Sequence, residues 1–355
     1  QKRKPCSRLL TASLFTPLGI CGGLRMKIIR TILSRPPSPH ALIGLGNFDG
    51  VHIGHQAVIG SAVQSSFENG LMSVVCTFDP HTRVFLQPDA PPRLLETFDQ
   101  RLRAIEGLGV DIVVVIPFSK LVAEFPRANF INEFLGAALG TAELHVSAGF
   151  TFGAGGAGDV EYLKRVAPQN GFKLRVVGSV MAGSRVVSST CVRDAVAEGR
   201  VSDAAEFLGR PFALAGEVVT GMGRGRGLNA PTANLKLENT FVPGHGVYVT
   251  EARLDGVSYK AVSNVGTRPT FGPEGELTVE THLLDCEIEL SGKQMELAFL
   301  EKLRDEIRFE SPDALATQIA KDVRRASNYV AISGDNLRYT ASVSSEVRAG
   351  KESGT

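Results

Sequence analysis

The sequence predicts two domains: a doubly wound α/β domain, then an antiparallel β domain closed as a small barrel and finished by one helix. Three observations carry this. The 355 residues suffice for two domains that each bury a core. From Ala41 to about Gly199, short apolar runs alternate with amphipathic stretches, the pattern of parallel strands joined by helices. After Gly199 the texture changes to alternating runs separated by Gly, Pro and Asp turns.

The elements follow in order. Met26-Lys27-Ile28-Ile29-Arg30 is the first plausible strand. Ala41–Gly46, Met72–Phe78, Val110–Phe118, Glu143–Ala148 and Phe172–Gly178 are short and apolar, as strands buried on both faces are. Helices are expected between them at His55–Asn69, Phe98–Leu108, Arg127–Leu139 and Asp159–Gln169. Val201–Leu208 reads as a short helix leading into Arg210-Pro211. Barrel strands are expected at Ala213–Val219, Gly246–Leu254, Tyr259–Val265, Leu277–Cys286 and Met295–Phe309. Ser311 as N-cap and Pro312 at the first helical position open a last helix to about Ser327.

The expected domains are therefore 26–200 and 201–330. Residues 1–25 carry Lys2, Arg3, Lys4 and Arg8 before a mildly apolar stretch. They read as a non-native or disordered leader, with a signal or transit peptide as the alternative. Residues 331–355 are polar and aperiodic and read as a disordered tail.

Lys+Arg 38 against Asp+Glu 37 leaves a net charge of +1, without the basic excess of a nucleic-acid binder. The five cysteines are scattered, with no C-x-x-C pair. That argues against a disulfide framework or structural zinc and for a reducing, cytoplasmic setting. No apolar run approaches the ~20 residues of a membrane span. Glycine is the outlier: 38 of 355, about 11% against a usual ~7%. Much of it gathers in three stretches, where backbone comes close to something.

One such stretch is Gly44-Leu45-Gly46-Asn47-Phe48-Asp49-Gly50-Val51-His52-Ile53-Gly54-His55, running from strand to helix. It is not the dinucleotide fingerprint, because the third glycine falls one residue late. It places His52 and His55 at i and i+3, on one face of a helix start whose N–H groups and dipole attract phosphate. The alternative is a pair of partly buried histidines capping a turn. Val187-Ser188-Ser189-Thr190-Cys191-Val192-Arg193 offers hydroxyls and a guanidinium at another helix start, suited to phosphate oxygens; Ser-Ser-Thr alone is usually an N-cap.

In the second half, Gly221-Met222-Gly223-Arg224-Gly225-Arg226-Gly227-Leu228 follows a strand. It is not Walker A, since no Gly-Lys-Ser/Thr follows. Gly221, Gly223 and Gly225 with Arg224 and Arg226 make a phosphate cradle or a solvated hairpin tip. Pro231-Thr232-Ala233-Asn234 puts a hydroxyl and an amide on one face of an extended segment, hard donors for Mg²⁺ beside phosphate. Thr278 to Asp285 alternates as a strand with Glu280, His282 and Leu284 on one face. Glu280 there is either a base for an attacking alcohol or an exposed edge carboxylate.

GNFDGVHIGH, TFDPH (Thr77 to His81) and the SST-x-x-R segment together resemble the nucleotidyltransferase module of the bacterial bifunctional riboflavin kinase/FMN adenylyltransferases, or FAD synthetases. GRGRGL, PTANL, GVY (Gly246 to Tyr248), NVGTRPTF (Asn264 to Phe271), VE-x-HLLD and KLRDEIRF (Lys302 to Phe309) resemble the family's riboflavin kinase module, in the same order. The resemblance implies a Rossmann-like nucleotidyltransferase domain and a six-stranded kinase barrel. It implies that His52 and His55 bind ATP phosphates and stabilise the transition state, with Gly46, Phe48, Asp49, Ser188, Thr190 and Arg193 around the nucleotide. It further implies Mg²⁺ and ATP at Thr232 and Asn234, Glu280 as the base activating the flavin 5′-hydroxyl, and Arg304 near flavin and nucleotide. The partners implied are riboflavin, FMN and ATP, with no nucleic acid or membrane; oligomeric state is not implied.

The sequence departs from the family's pattern at four places. Asn229-Ala230 stands where Gly-Phe usually precedes Pro-Thr-Ala-Asn. Gly149 stands where a polar Asp or Asn is usual, Cys191 replaces an arginine and Thr82 replaces a proline. Each of the last three losses would cost ~1–3 kcal/mol if the missing group met a charged or buried partner, and together they would slow adenylylation ~100-fold or more. The rival expectations are a riboflavin kinase with weak or lost adenylylation, and a non-catalytic flavin- or nucleotide-binding regulator. Thr232, Asn234 and Glu280 argue against the regulator.

Overall fold

The computed structural model describes residues 26–30, 36, 38, 40–219, 232–268, 276–286 and 288–330. The leader, the tail and the Gly/Arg loop, with Gly221, Gly223, Arg224, Gly225 and Arg226, lie outside the described residues.

Six strands form the first sheet: β1 (Lys27–Arg30), β2 (Ala41–Leu45), β3 (Ser73–Asp79), β4 (Ile112–Pro117), β5 (Thr141–Ser147) and β6 (Lys173–Val177). Their order is β1-β4-β3-β2-β5-β6, every pairing parallel. Parallel strands buried on both faces need apolar residues at consecutive positions. Ile112, Val114 and Ile116 of β4 join one core cluster while Val113 and Val115 join the cluster on the other face. The connections run outward from β2 through β3 to β4, then return to β5 on the opposite side of β2. That reversal creates a crevice at the carboxyl ends of β2 and β5, where ligands settle in open α/β sheets.

Five labelled helices serve this half: α1 (Ile53–Asn69), α2 (Thr82–Leu86), α3 (Phe98–Glu106), α4 (Val160–Val166) and α5 (Ser189–Ala197). α6 (Val201–Leu208) then leads into a closed barrel of β7 (Phe212–Val219), β8 (Thr232–Leu237), β9 (Gly246–Leu254), β10 (Val257–Arg268), β11 (Glu276–Leu283) and β12 (Gln294–Arg304). The barrel order is β7-β8-β11-β10-β9-β12, antiparallel throughout. Val192 and Val196 of α5 and Phe207 of α6 share one buried cluster with Phe212, Leu214 and Phe299 of the barrel. The two halves therefore meet through a common apolar core. α7 (Pro312–Asn328) is capped by Ser311, whose hydroxyl accepts the Ala314 N–H, and lays Ala326 on Val247, Val249 and Leu303 of the barrel's outer face.

The structure corrects several boundaries. α1 starts at Ile53, because His52 supplies its N-cap. The expected helix Arg127–Leu139 is one turn, Arg127–Asn129, that continues as a π-helix over Phe130–Ala138. The strand read to Phe309 ends at Arg304, and the one read to Cys286 ends at Leu283. Thr232–Leu237, read only as an extended segment, is a full barrel strand between β7 and β11.

Candidate active site

A cavity of about 740 Å³ opens at the carboxyl ends of the parallel strands. It brings together Gly46, Phe48, Asp49, His52 and His55 from the β2–α1 connection with Ser188, Thr190 and Arg193 from the start of α5. The two segments meet directly, Ser189 Oγ donating to the Asp49 carbonyl 140 residues away at 3.0 Å.

The histidines are placed by local geometry. His52 caps α1, its Nδ1 accepting the His55 N–H at 3.3 Å. The His52 ring thus carries its proton on Nε2 when neutral. The two rings stack at 3.6 Å between centroids, and Phe48 meets His55 edge-on at 5.3 Å. Gly54 makes this possible, because a Cβ there would sit 3.1 Å from the His52 ring. The Nδ1 of His55 is enclosed and has no hydrogen-bond partner among the described residues.

Beneath the pair lies a charged layer. Arg193 donates to the Asp49 carboxylate and, through Nε, to the Arg93 carbonyl at 2.8 Å. The other Asp49 oxygen accepts the Leu95 N–H at 3.0 Å, and Ser189 Oγ donates to the Asp49 carbonyl. Asp49 is only 1% exposed. Asp49 and Arg193, both in the cavity lining, therefore pair with each other and brace α5 against the β2–α1 loop. Ser188 likewise caps α5, accepting the Cys191 N–H at 3.2 Å.

Burial, with the nearby guanidiniums of Arg210 and Arg193, pushes His52 down to about 4. Burial also pushes His81 down to about 4, helped by Arg101, Arg193 and Arg83. His55 lies well below its usual value, through burial and then through His52, Arg101, His81 and Arg210. The three imidazoles are therefore neutral near pH 7, with the Arg193, Arg210 and Arg101 guanidiniums beside them paired to Asp49 and Glu96.

Three of the four departures also find places, while Asn229-Ala230 lies outside the described residues. Gly149 lines the cavity, and a Cβ there would meet nothing within 4 Å. Thr82 exchanges two hydrogen bonds with Asn47. Cys191 packs against the apolar cluster shared by α5, α6 and the barrel, without reaching the cavity lining. Sequence reading gave no role to His81, Asn47, Glu96 or Arg210. His81 and Asn47 sat inside quoted motifs, but the bonds from Arg210 to Glu96 and to the Gly50 carbonyl span 114 and 160 residues and leave no local pattern.

In the barrel, Asn234 of β8 pairs in register with Glu280 of β11, and Glu280 with Asn264 of β10. Residues directly opposite share a sheet face, so these three form a row across three strands. The alternate positions Ala233, Thr281 and Ser263 are buried, which places the row on the outer face. Thr232, two residues from Asn234, pairs with His282. Asn264 donates to Glu306 at 3.3 Å. Arg304, expected near flavin and nucleotide, donates through Nε and Nη2 to Asp322 of α7 at 3.0 and 2.8 Å. As placed, it clamps the last helix to the barrel.

Among the described residues no helix is long and apolar enough to cross a membrane. Residues 35–191 match the FAD synthetase family model and residues 208–330 the riboflavin kinase model. The chain is 37% identical to a bifunctional riboflavin kinase/FMN adenylyltransferase of Pseudomonas fluorescens, over 85% of this chain and 97% of that one. It is 35% identical to the protein of the same description from Escherichia coli K12, over 86% and 98%. A solved structure described as a macrolide-efflux protein from Streptococcus pneumoniae superposes with a TM-score of 0.78 at 27% identity, over 86% of this chain and 100% of that one.

Proposed function

The chain belongs to the bifunctional riboflavin kinase/FMN adenylyltransferase family, and we propose from this that it converts riboflavin to FMN and FMN to FAD at two separate ATP sites. The α/β half, to about residue 200, carries adenylylation, and the barrel from about residue 201 carries the kinase.

In adenylylation an FMN phosphate oxygen bonds to the α-phosphorus of ATP while the bond to the β-phosphate oxygen breaks and pyrophosphate leaves. The observation that supports this reading best is the stacked His52–His55 pair at the start of α1, facing the start of α5 across one cavity. With its Nδ1 engaged by the His55 N–H, His52 offers Nε2–H to a phosphate oxygen. Positioning and charge stabilisation suffice here, and no covalent nucleophile is required.

In the kinase step the riboflavin 5′-oxygen bonds to the γ-phosphorus and ADP leaves. Glu280 accepts the hydroxyl proton. Asn234, in register beside it, and Thr232 are oxygen donors of the kind Mg²⁺ takes, and would hold it on the ATP phosphates. Held there by Thr232 and Asn234, Mg²⁺ would supply charge neutralisation along the phosphate chain. Substrates are small molecules, and ATP serves both sites.

Two variants separate the sites. Glu280→Gln is expected to lose FMN formation from riboflavin by ~100-fold or more while still making FAD from supplied FMN. His52→Ala is expected to do the reverse. Loss of both activities in either variant contradicts separate sites.

A further inference from the structure

We propose that Arg210, at the entry to the barrel, is a positioning residue for adenylylation, holding from behind the loop that delivers His52. This rests on the adenylylation reading of the cavity. Arg210 falls inside the riboflavin kinase match, yet most of its contacts reach into the other half.

The loop before His52 is strained. Phe48, Gly50 and Val51 have φ of 54°, 85° and 36°. A β-branched residue such as Val51 rarely adopts that region, and it persists only where the surroundings over-determine it. Here they do. Arg210 Nη2 donates to the Gly50 carbonyl at 3.0 Å and to Glu96 Oε2 at 2.9 Å, while Nη1 donates to the Val51 carbonyl at 3.2 Å. Glu96 in turn accepts the Gly50 N–H on Oε1 at 2.9 Å. Gln56 donates to the carbonyls of both Val51 and Leu208, tying α1 to the end of α6. Gly50 is also confined by packing, since a Cβ would lie 2.6 Å from Leu95.

Glu96 is 6% exposed, and the guanidinium is what neutralises it together with Arg101 at 3.7 Å. A planar fork is needed to reach two carbonyls and a carboxylate at once. A lysine ammonium keeps the charge and loses that geometry.

The experiment compares the full-length wild type with Arg210→Gln, Arg210→Lys and the double variant Glu96→Gln/Arg210→Gln. The double variant removes the buried carboxylate but leaves Arg101, 2% exposed, without it, so Arg210→Lys, which keeps both charges, is the variant that separates loop positioning from a failure to fold. FAD formation from FMN and ATP, FMN formation from riboflavin and ATP, and amide hydrogen exchange over residues 46–58 are measured on each. Arg210→Gln and the double variant are expected to lower kcat for FAD formation ~10-fold or more with KM for FMN unchanged. Exchange at Gly50–His52 should quicken ~10-fold while β9 and β10 and the kinase rate stay unchanged. Arg210→Lys should recover part of the loss. FAD formation at the wild-type rate with unchanged exchange overturns the proposal. So does a joint loss of both activities with faster exchange across the barrel, which marks a general structural role. A wild type that makes FMN but no FAD defeats the adenylylation reading instead. In that case the exchange result alone decides whether Arg210 holds the loop.

Discussion

Asn47 donates through Nδ2 to the Thr82 hydroxyl at 2.9 Å and accepts the Thr82 backbone N–H on Oδ1 at 3.2 Å. This reciprocal pair ties the loop after β2 to the start of α2 at the rim of the cavity, and Thr77 adds a bond to the Asn47 carbonyl. A proline at position 82 has neither the N–H nor the hydroxyl. What looks in sequence like a missing family residue is a different fastening of the same two loops.

Thr82→Pro is the clean test of that fastening. Position 82 is the first residue of α2, where proline is tolerated, and His81 at φ −54° and ψ 134° has the extended geometry proline demands of its predecessor. Only the hydrogen bonds are lost. Urea denaturation should show a loss of about 1–2 kcal/mol, with the kinase rate unchanged; unchanged stability would show the pair contributes nothing.

Gly149→Asn should improve adenylylation. The site has room for the side chain and the position faces the cavity. One new hydrogen bond to substrate corresponds to roughly a 10-fold fall in KM for FMN. A KM that does not move, with the variant folded, would remove Gly149 from substrate contact.

Acid should destabilise the α/β half. Unfolded histidines titrate near 6.5 and His52 and His81 near 4 when folded, with His55 also depressed. Between these values the unfolded chain binds more protons, so stability is full above pH 6.5 and falls as pH drops toward 4. Glu96 and Asp49 act oppositely: burial raises both, Glu96 to about 7 against the pull of Arg210 and Arg101, so their cost grows as pH rises. His52 and His81 together are shifted further than Glu96, and His55 adds to them, so the loss toward acid prevails. Denaturation midpoints at pH 7, 6 and 5 should fall in that order, and fall less for His52→Gln. A polyphosphate raises these histidines again, so ATP binding at pH 6 should take up protons, seen as a buffer-dependent heat in calorimetry.

Asp322→Ala should loosen the last helix. Asp322 is 3% exposed and accepts two bonds from Arg304 and one from Gln318. Breaking this pair is expected to cost about 2–4 kcal/mol, read as a lower melting temperature. An unchanged melting temperature would show that α7 holds by its apolar face alone.

Much of the fold was legible because burial on both faces imposes continuous apolar runs. Val201–Leu208 and Gly246–Leu254 were read to the residue. β8 was not read as a strand because TANLKL is short and sits directly after a glycine-rich loop. β12 was read too long because the pattern of Asp305–Phe309 resembles its own, although Arg304, opposite Val247 of β9, is the last residue in the ladder. The π-helix carries no periodicity distinct from an α-helix, and nothing in its sequence explains it. At the site, the His pair and Ser188 to Arg193 were visible as motifs. The pairings Asp49–Arg193, Asn47–Thr82 and Glu96–Arg210 were not, because each joins residues brought together only by strand order and by the junction with the barrel.

The most direct measurement is a time course of the purified chain with riboflavin, ATP and Mg²⁺, with the three flavins separated by chromatography. FMN that rises and then gives way to FAD is the expected result. FMN that accumulates without FAD would contradict the two-site account and leave a riboflavin kinase carrying an inactive α/β half; no FMN at all would contradict the account outright.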